Sequence, residues 1–362
     1  MSVFLLRNYV ALFALICLLG LAGAVAGFAG VFGSCLGWMI GVVLAACTAH
    51  LLLAVPAMRI KPDASPDPSE LALPQEWMTG LCELAKRTAD QRGLPPPAEV
   101  RLHCESLAHV YEDEYGRGIL VIGAPALSLL SADSLSGIIA HELAHLDHGH
   151  SAQSRRTVPY LMRVAGVEYT FARMPYLADL NPLCWLLRGL HFLILWDRAK
   201  LSRQHEFEAD QASLEQVGPE EAAKVLLLLT VIEQLPLSRL SSIAETFVAM
   251  DIPLERMFHQ QAQRARHISA HEWQEAARKM LKEKTGMLDS HPCLAERLKA
   301  IGVKRKRAIA LAGELQLSGD PARTLVDVWD PIEKMLTSEL VQIVHYRKQV
   351  NQELARIVLG PR

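Results

Sequence analysis

The apolar residues of the chain are concentrated near its N-terminus. The stretch Asn8–Met58 contains no Asp, Glu, Lys or Arg. As one helix it would run roughly 76 Å at about 1.5 Å per residue, whereas the hydrocarbon core of a bilayer is about 30 Å thick. The pattern therefore predicts two transmembrane helices, near residues 9–29 and 35–57, with the break at the small residues of segment 30–34.

Basic residues flank this predicted hairpin. Arg7 precedes the first span, whereas Arg59 and Lys61 follow the second, and the turn between the spans is uncharged. Positive charge favours the cytoplasmic side, so both ends of the hairpin are predicted to be cytoplasmic. A signal peptide over residues 1–26 is an alternative for the first span. In either case the second span leaves the main domain facing the cytoplasm, and the layout suits a multi-pass protein of a bacterial inner membrane.

Glycines recur at intervals of four in the predicted hairpin. They are Gly23 and Gly27 in the first span, and Gly33, Gly37 and Gly41 around the start of the second. This spacing allows helix backbones to approach closely. We interpret it as packing of the two spans against each other, in preference to dimerisation of two chains.

After the spans, the pattern becomes that of a folded domain. Residues 61–70 contain three prolines among polar residues and predict a linker. An amphipathic helix is predicted over Glu76–Arg92. Residues that favour β-structure then predict short strands at Val100–Cys104, His109–Glu114 and Ile119–Ile122. We expect these strands to form a small antiparallel sheet.

The remainder of the chain is predicted to be largely helical. Ser131 is expected to cap the next helix. Further helices are expected around 156–174, 183–213, 219–234, 237–249, 271–285, 292–312 and 329–358, with breaks at Pro and Gly. The fold class is therefore α+β, dominated by helices. The predicted domains are a transmembrane hairpin over 1–60, a linker over 61–70, a main domain over 71–303 and a C-terminal helical extension over 304–362.

Charge and cysteine content narrow the possible functions. The chain has 37 basic and 39 acidic residues, which gives no electrostatic footprint for nucleic acid. Its seven cysteines are an odd number without a CxxC pair, so a disulfide framework is not expected. This agrees with a reducing compartment.

The segment His141–His145, with the sequence HELAH, carries the HExxH pattern. On a helix, residues four apart lie on one face with about 5 to 6 Å between Cβ atoms, so both imidazoles can reach one ion. The flanking leucines and isoleucines predict that this helix packs inside the domain, where its polar side chains need a partner. We therefore interpret His141 and His145 as zinc ligands and Glu142 as the general base that activates water.

A catalytic zinc site requires a third protein ligand and an open fourth position. A third histidine in the extended motif is excluded, because that motif needs glycine and histidine where this chain has His148 and Ser151. Downstream, Glu206 and Asp210 are one helical turn apart and share a face. This arrangement suits Glu206 as the third ligand and Asp210 as the acceptor of the free N–H of a liganding histidine.

Three blocks together resemble the HtpX and CAAX prenyl protease family of membrane zinc metallopeptidases. They are HELAHLDHGH at 141–150, SRQHEFEAD at 202–210 and HPCLAERL at 291–298. The resemblance implies a zincin-like core of the gluzincin type with one Zn²⁺ per chain, Glu142 as base and Glu206 as third ligand. It also implies that His291 and Arg297 support the active site, by stabilising the oxyanion or holding substrate. A structural salt bridge or cap is the alternative for these two residues.

The chain departs from HtpX between residues 151 and 200, which show no clean pair of further spans. The best candidate, Leu183–Trp196, is short for a crossing and contains Arg188 and His191. It is either an interfacial helix or a helix packed beside the active site, so a third membrane contact is open. The many spans of CAAX proteases are not encoded here, which disfavours the processing of prenylated peptides.

The predicted function is that of a membrane-anchored zinc endopeptidase in protein quality control. Its expected partners are the lipid bilayer and polypeptide substrates from membrane or misfolded proteins, held along the sheet edge near 107–123. The alternative is a zinc-binding membrane scaffold or chaperone without proteolysis. Glu142 argues against this alternative, because a purely structural site does not need a base and usually fills all four ligand positions with protein.

Overall fold

The structure is a computed structural model. It describes residues 5, 8–29, 35–56, 70–104, 107–147, 150–173, 175–232, 244–247, 250, 254–315 and 321–359. Two compact units are present, the first formed by Met1–Ala64, Gln153–Arg203 and Gly286–Ser290, and the second by Ser65–Ala152, Gln204–Thr285 and His291–Arg362. The domain limits expected at residues 60, 70 and 303 stay predictions.

In the part of the chain that the structure describes, the strands all lie between residues 70 and 123, in the second unit. The strands are β1 (Glu70–Leu71), β2 (Glu99–His103), β3 (Ala108–Glu112) and β4 (Gly118–Gly123). The helices are α1 (Tyr9–Phe28), α2 (Cys35–Leu52), α3 (Thr79–Gln91), α4 (Ala124–Leu129), α5 (Ala132–Asp147), α6 (His150–Ala172), α7 (Pro175–Leu180), α8 (Pro182–Val217), α9 (Pro219–Ile232), α10 (Met257–Arg266), α11 (Ala270–Met280), α12 (Leu294–Ala300), α13 (Arg305–Gly313) and α14 (Trp329–Leu359). Short 3₁₀ turns occur at Gln75–Trp77 and Ala322–Leu325. The predicted helix-dominated α+β class is confirmed.

In the first unit, α1 and α2 pack closely. A Cβ atom added to Gly41 would lie 3.1 Å from the carbonyl oxygen of Ala24 and 3.2 Å from the backbone nitrogen of Phe28. Glycine therefore permits the close approach of the two backbones within one chain, as the four-residue spacing indicated. By length and composition, α1 can cross a membrane, and a shorter apolar helix covers Trp38–Leu52.

The N-terminal half of α8 forms an apolar cluster with α1 and α2. Leu183, Cys184, Leu187 and Ile194 are buried against α1 and α2, with Tyr9 and Phe13 of α1 among their neighbours. The two polar residues that interrupt the segment have partners. Arg188 donates to Asp179 over 2.7 Å, and His191 is buried between the hydroxyl of Tyr9 and the carboxylate of Glu168. The structure thus shows Leu183–Trp196 packed against the apolar N-terminal helices, an arrangement that neither alternative predicted, and a third membrane contact stays a prediction.

The sheet of the second unit is mixed, with the strand order β1-β2-β4-β3. Strands β3 and β4 pair antiparallel as expected, but β2 pairs with β4 in parallel, so the prediction of a wholly antiparallel sheet is wrong. The reason is that β4 lies between β2 and β3. Its residues Ile119–Ile122 are almost completely buried, and a central strand suits such an apolar run better than an edge. The two-residue strand β1, at the end of the predicted linker, was not expected.

Several predicted helices differ in extent. Helix α8 is continuous to Val217, and α10 was not predicted. The predicted helix over 292–312 is two helices, because Gly302 has a φ of +80° that ends α12. Most of the predicted segment 237–249 lies outside the described residues. The predicted cap of α5 is confirmed, since the backbone N–H of Ser134 donates to Ser131 Oγ over 3.1 Å.

Candidate metal centre

Helix α5 presents two histidines next to each other. Its apolar face, with Leu135, Ile139 and Leu143, packs into the main core of the second unit. His141 and His145 follow one turn apart near the C-terminal end, with ring centroids 5.0 Å apart, and both are partly accessible. The packing of the apolar face therefore fixes both imidazoles at the wall of a cleft.

Helix α8 brings a carboxylate to the two imidazoles. Glu206 Oε2 lies 3.8 Å from Nε2 of His141, and Glu206 Oε1 lies 3.8 Å from Nε2 of His145. One donor atom from each of the three residues lies within 4.8 Å of the others. Ligand atoms of a tetrahedral zinc ion with bonds of about 2.0 Å are about 3.3 Å apart. The three side chains therefore fit a zinc ion after small adjustments.

Asp210 and Arg297 contact two of the three candidate ligands, His141 and Glu206. Asp210 Oδ1 lies 3.3 Å from Nδ1 of His141, on the ring nitrogen opposite the one that faces Glu206. Arg297 donates to both oxygens of Asp210, over 2.8 Å from Nε and 2.5 Å from Nη2. The same Nη2 lies 3.3 Å from Glu206 Oε2. One buried guanidinium thus orients both carboxylates.

The environment of Glu206 keeps this side chain ionised. Burial favours the neutral acid, but the hydrogen bond from His291 and the charges of Arg297 and His141 outweigh burial and lower the pKa of Glu206 to about 2. The pKa of Asp210 is also lowered, since its hydrogen bonds with Arg297 and His141 outweigh its burial. Both groups therefore offer a negative charge to a cation at neutral pH.

Glu142 is in a different environment in the same cleft. Burial is the main effect and raises its pKa, while the positive charge of His141 opposes the shift and the negative charge of Glu206 adds to it. A carboxyl group whose pKa is raised towards neutrality is well matched to proton transfer. The two carboxyl groups of this cleft are thus shifted in opposite directions.

His291 and Arg297 lie near the candidate site in different ways. Nδ1 of His291 lies 3.1 Å from Glu206 Oε1, while two thirds of its side chain is accessible, and the contact raises the pKa of the histidine. Arg297 is only 14% accessible and its nearest polar partners are Asp210 and Glu206. The position of Arg297 is that of a buried ion pair, whereas His291 is at the surface of the cleft. The catalytic roles of both residues stay predictions.

The cleft beside these residues encloses about 440 Å³. One wall is apolar and is formed by Ile138 from α5 and Val225, Leu226 and Leu229 from α9. The lining also includes Leu107, Ala108 and His109 at the sheet edge. His109 was not predicted as a site residue, because no short motif surrounds it. The sequence nevertheless offered one clue, because position 109 lies within the segment 107–123 that was predicted to hold the substrate.

Two histidines one helical turn apart, a glutamate from a second helix and a further glutamate between the histidines define a metallopeptidase of the gluzincin type. The model of peptidase family M48 matches residues 84–304, and the chain belongs to this family. This confirms the resemblance to the HtpX and CAAX prenyl protease type of zinc metallopeptidase. No curated protein and no solved structure matches the chain.

Loss of the buried guanidinium should destabilise the protein. In Arg297→Ala, Asp210 and Glu206 would remain buried without their cation, so we expect the metal-free protein to lose about 3 kcal/mol of unfolding free energy at pH 7. Arg307→Ala, which removes an exposed pair with Glu220, is the control and should change little. Chemical unfolding in detergent measures both. Equal stability of the two variants would contradict the role assigned to Arg297.

Proposed function

We propose that this chain is a membrane-anchored zinc endopeptidase that hydrolyses internal peptide bonds in membrane or misfolded proteins. The observation that carries the proposal is the convergence of His141, His145 and Glu206 on one point, with Glu142 in the same cleft. Family membership supports a metal-dependent peptidase. The quality-control role rests on the resemblance to HtpX and on the predicted position at a membrane.

The donor set supports zinc as the metal. Two imidazoles and one carboxylate from protein are a common ligand set of catalytic zinc, and they leave a fourth position open. When bound, zinc polarises the substrate carbonyl and makes water acidic enough to react near neutral pH. Asp210 supports this ligand set, because a carboxylate on Nδ1 of His141 leaves Nε2 free as the ligand atom.

Glu142 would move the proton. As the carboxylate it accepts a proton from the water that attacks the scissile carbonyl, and it returns this proton to the leaving amine. The direction of its pKa shift suits the first step, because burial raises the pKa of Glu142 and so makes the carboxylate a stronger base. The groups nearest to the reacting carbonyl that could carry positive charge would be His291 and Arg297; both line the cleft, and His291 is the more accessible of the two.

The sheet edge supports binding of an extended polypeptide. Strand β3 is the last strand in the order of the sheet, so one row of its backbone groups is unpaired within the described sheet. An unpaired edge can add a substrate strand by backbone hydrogen bonds. The apolar wall of α9 would then accept an apolar side chain, which unfolded and membrane proteins expose.

The surface of the first unit supports a lipid environment. On α8, the side chains of Trp185, Leu186, Phe192 and Leu193 point away from the buried cluster and are 42–59% accessible. The second pair of residues follows the first by seven positions, about two helical turns, so the four side chains lie on one face of α8 and form one apolar stripe. With α1 as a candidate span, they support a multi-pass anchor in a cell inner membrane. The basic residues Arg59 and Lys61 favour a catalytic domain on the cytoplasmic side.

Two variants should distinguish the role of a zinc ligand from the role of the base. We expect about one zinc per purified chain and chelator-sensitive cleavage of casein by the wild-type protein. Glu142→Gln should keep the zinc and lose cleavage by at least 100-fold, because the base is gone and the ligands remain. Glu206→Ala should lose both. Elemental analysis and a casein assay in detergent measure these outcomes.

Other outcomes have definite meanings. Cleavage that persists in Glu142→Gln at the wild-type rate would show that a different residue or a contaminant is responsible. Zinc without cleavage in any preparation would favour a membrane scaffold. Glu208→Gln is the matched control: this half-buried residue lies on the same helix as Glu206 and does not line the cleft, so the substitution should change neither zinc content nor cleavage.

The apolar stripe on α8 should be covered by lipid. In nanodiscs, we expect Leu193→Cys to react with a water-soluble maleimide at least ten times more slowly than Gln204→Cys, which is exposed on the same helix. Labelling of the wild-type protein gives the background from its native cysteines. The two rates should become similar after denaturation. Similar rates in the nanodisc itself would place the stripe in water.

A further inference from the structure

A carboxylate and a histidine outside the predicted motifs meet at the sheet. Nε2 of His109 on β3 lies 3.2 Å from Oε1 of Glu70 on β1, and we call these two residues the Glu70–His109 pair. The carboxyl group of Glu70 is only 4% accessible. The hydroxyl of Tyr111 donates to its other oxygen over 2.7 Å, and Arg101 lies 3.4 Å from that oxygen. The carboxylate is thus fixed from several sides.

The fixed carboxylate orients the imidazole of His109. Because Nε2 faces a carboxylate, the proton of the neutral ring stays on Nε2 and Nδ1 keeps its lone pair. Among the described residues Nδ1 has no hydrogen-bond partner. The imidazole of His109 is therefore oriented, with Nε2 paired with Glu70 and Nδ1 able to accept a hydrogen bond.

His109 lies where a substrate would pass. Its side chain is 39% accessible and lines the same cleft as His141 and Glu142. Its own strand is the edge that the proposed function assigns to the substrate. His109 from the edge strand and the proposed base from α5 therefore line one cleft.

Packing alone does not explain this arrangement. Glu70 already has Tyr111 and Arg101 as partners, so it does not need His109 to be satisfied. A histidine with a purely structural role is expected to be buried with both nitrogens bonded. His109 instead combines a fixed orientation with an accessible face. This combination is typical of groups that bind a ligand.

We propose that His109, oriented by Glu70, is a substrate-binding residue whose Nδ1 accepts a hydrogen bond from a main-chain N–H of the polypeptide in the cleft. The inference rests on the proposed function and adds a specific contact to it. An extended polypeptide offers such N–H groups at regular intervals, so the contact positions the chain without selecting a side chain. Glu70 acts through His109 and is a positioning residue.

Substitution of His109 by asparagine or by glutamine distinguishes the roles of its two ring nitrogens. Asparagine places its amide near the position of Nδ1, whereas glutamine reaches the position of Nε2 and keeps the contact with Glu70. If Nδ1 binds substrate, His109→Gln and His109→Ala should lower kcat/KM for casein by 10- to 100-fold, chiefly through KM. His109→Asn should recover a large part of this loss. Zinc content should not change in any of the three.

The control is a second histidine that faces a carboxylate. His271 on α11 lies 3.9 Å from Glu275 and is exposed, so His271→Gln should behave as the wild type. The proposal is overturned if His109→Gln and His109→Asn have the same kcat/KM as each other. It is also overturned if all three His109 variants lose activity only in proportion to a loss of zinc or of folded protein.

A binding measurement separates this inference from the proposed function. Fluorescein-labelled casein is titrated into the Glu142→Gln protein and into the same protein with His109→Gln added. A Kd that rises by about 10-fold in the double variant supports the contact even if the wild-type protein does not cleave casein. An unchanged Kd, or no binding of casein at all, rejects the inference whatever the cleavage assay shows.

Discussion

The site depends on one buried ion network, in which Arg297 holds Asp210 and Glu206 together. Two carboxylates one turn apart on a helix repel each other, and burial would favour their neutral forms. The hydrogen bond from His291 and the charges of Arg297 and His141 outweigh burial and lower the pKa of Glu206 to about 2, while Arg297 also holds Asp210 against His141. The stability that these low pKa values contribute is fully present above the usual pKa of Glu, 4.5, and is lost as the pH falls towards 2.

This network also explains why two carboxyl groups of the cleft have pKa values shifted in opposite directions. Glu206 has cationic neighbours on several sides, whereas Glu142 is governed by burial and has a raised pKa. Opposite shifts in neighbouring carboxyl groups are the usual way in which one site combines a ligand or anion with a proton carrier. The continuous helix α8 carries Glu206 and Asp210, and its N-terminal half packs with the apolar helices of the first unit.

Local patterns were enough to predict the elements that position the site. The spacing of His141 and His145, the cap at Ser131 and the strand sequences of β2, β3 and β4 all depend on residues close in the sequence. Strand order was not predictable in this way, because the place of β4 beside β2 is decided by burial of its apolar run. The pairing of Arg297 with Asp210 and of His109 with Glu70 joins residues far apart in the chain, which no local spacing encodes.

The most direct test of the zinc site is X-ray absorption at the zinc edge of the purified, full-length protein. Two imidazoles and further oxygen ligands at about 2.0 Å, with no sulfur, are predicted, and Glu206→Ala should lose the bound zinc. Sulfur ligands at about 2.3 Å would assign the metal to cysteines. Sulfur ligation, or a wild-type protein that binds no zinc, would contradict a centre formed by His141, His145 and Glu206.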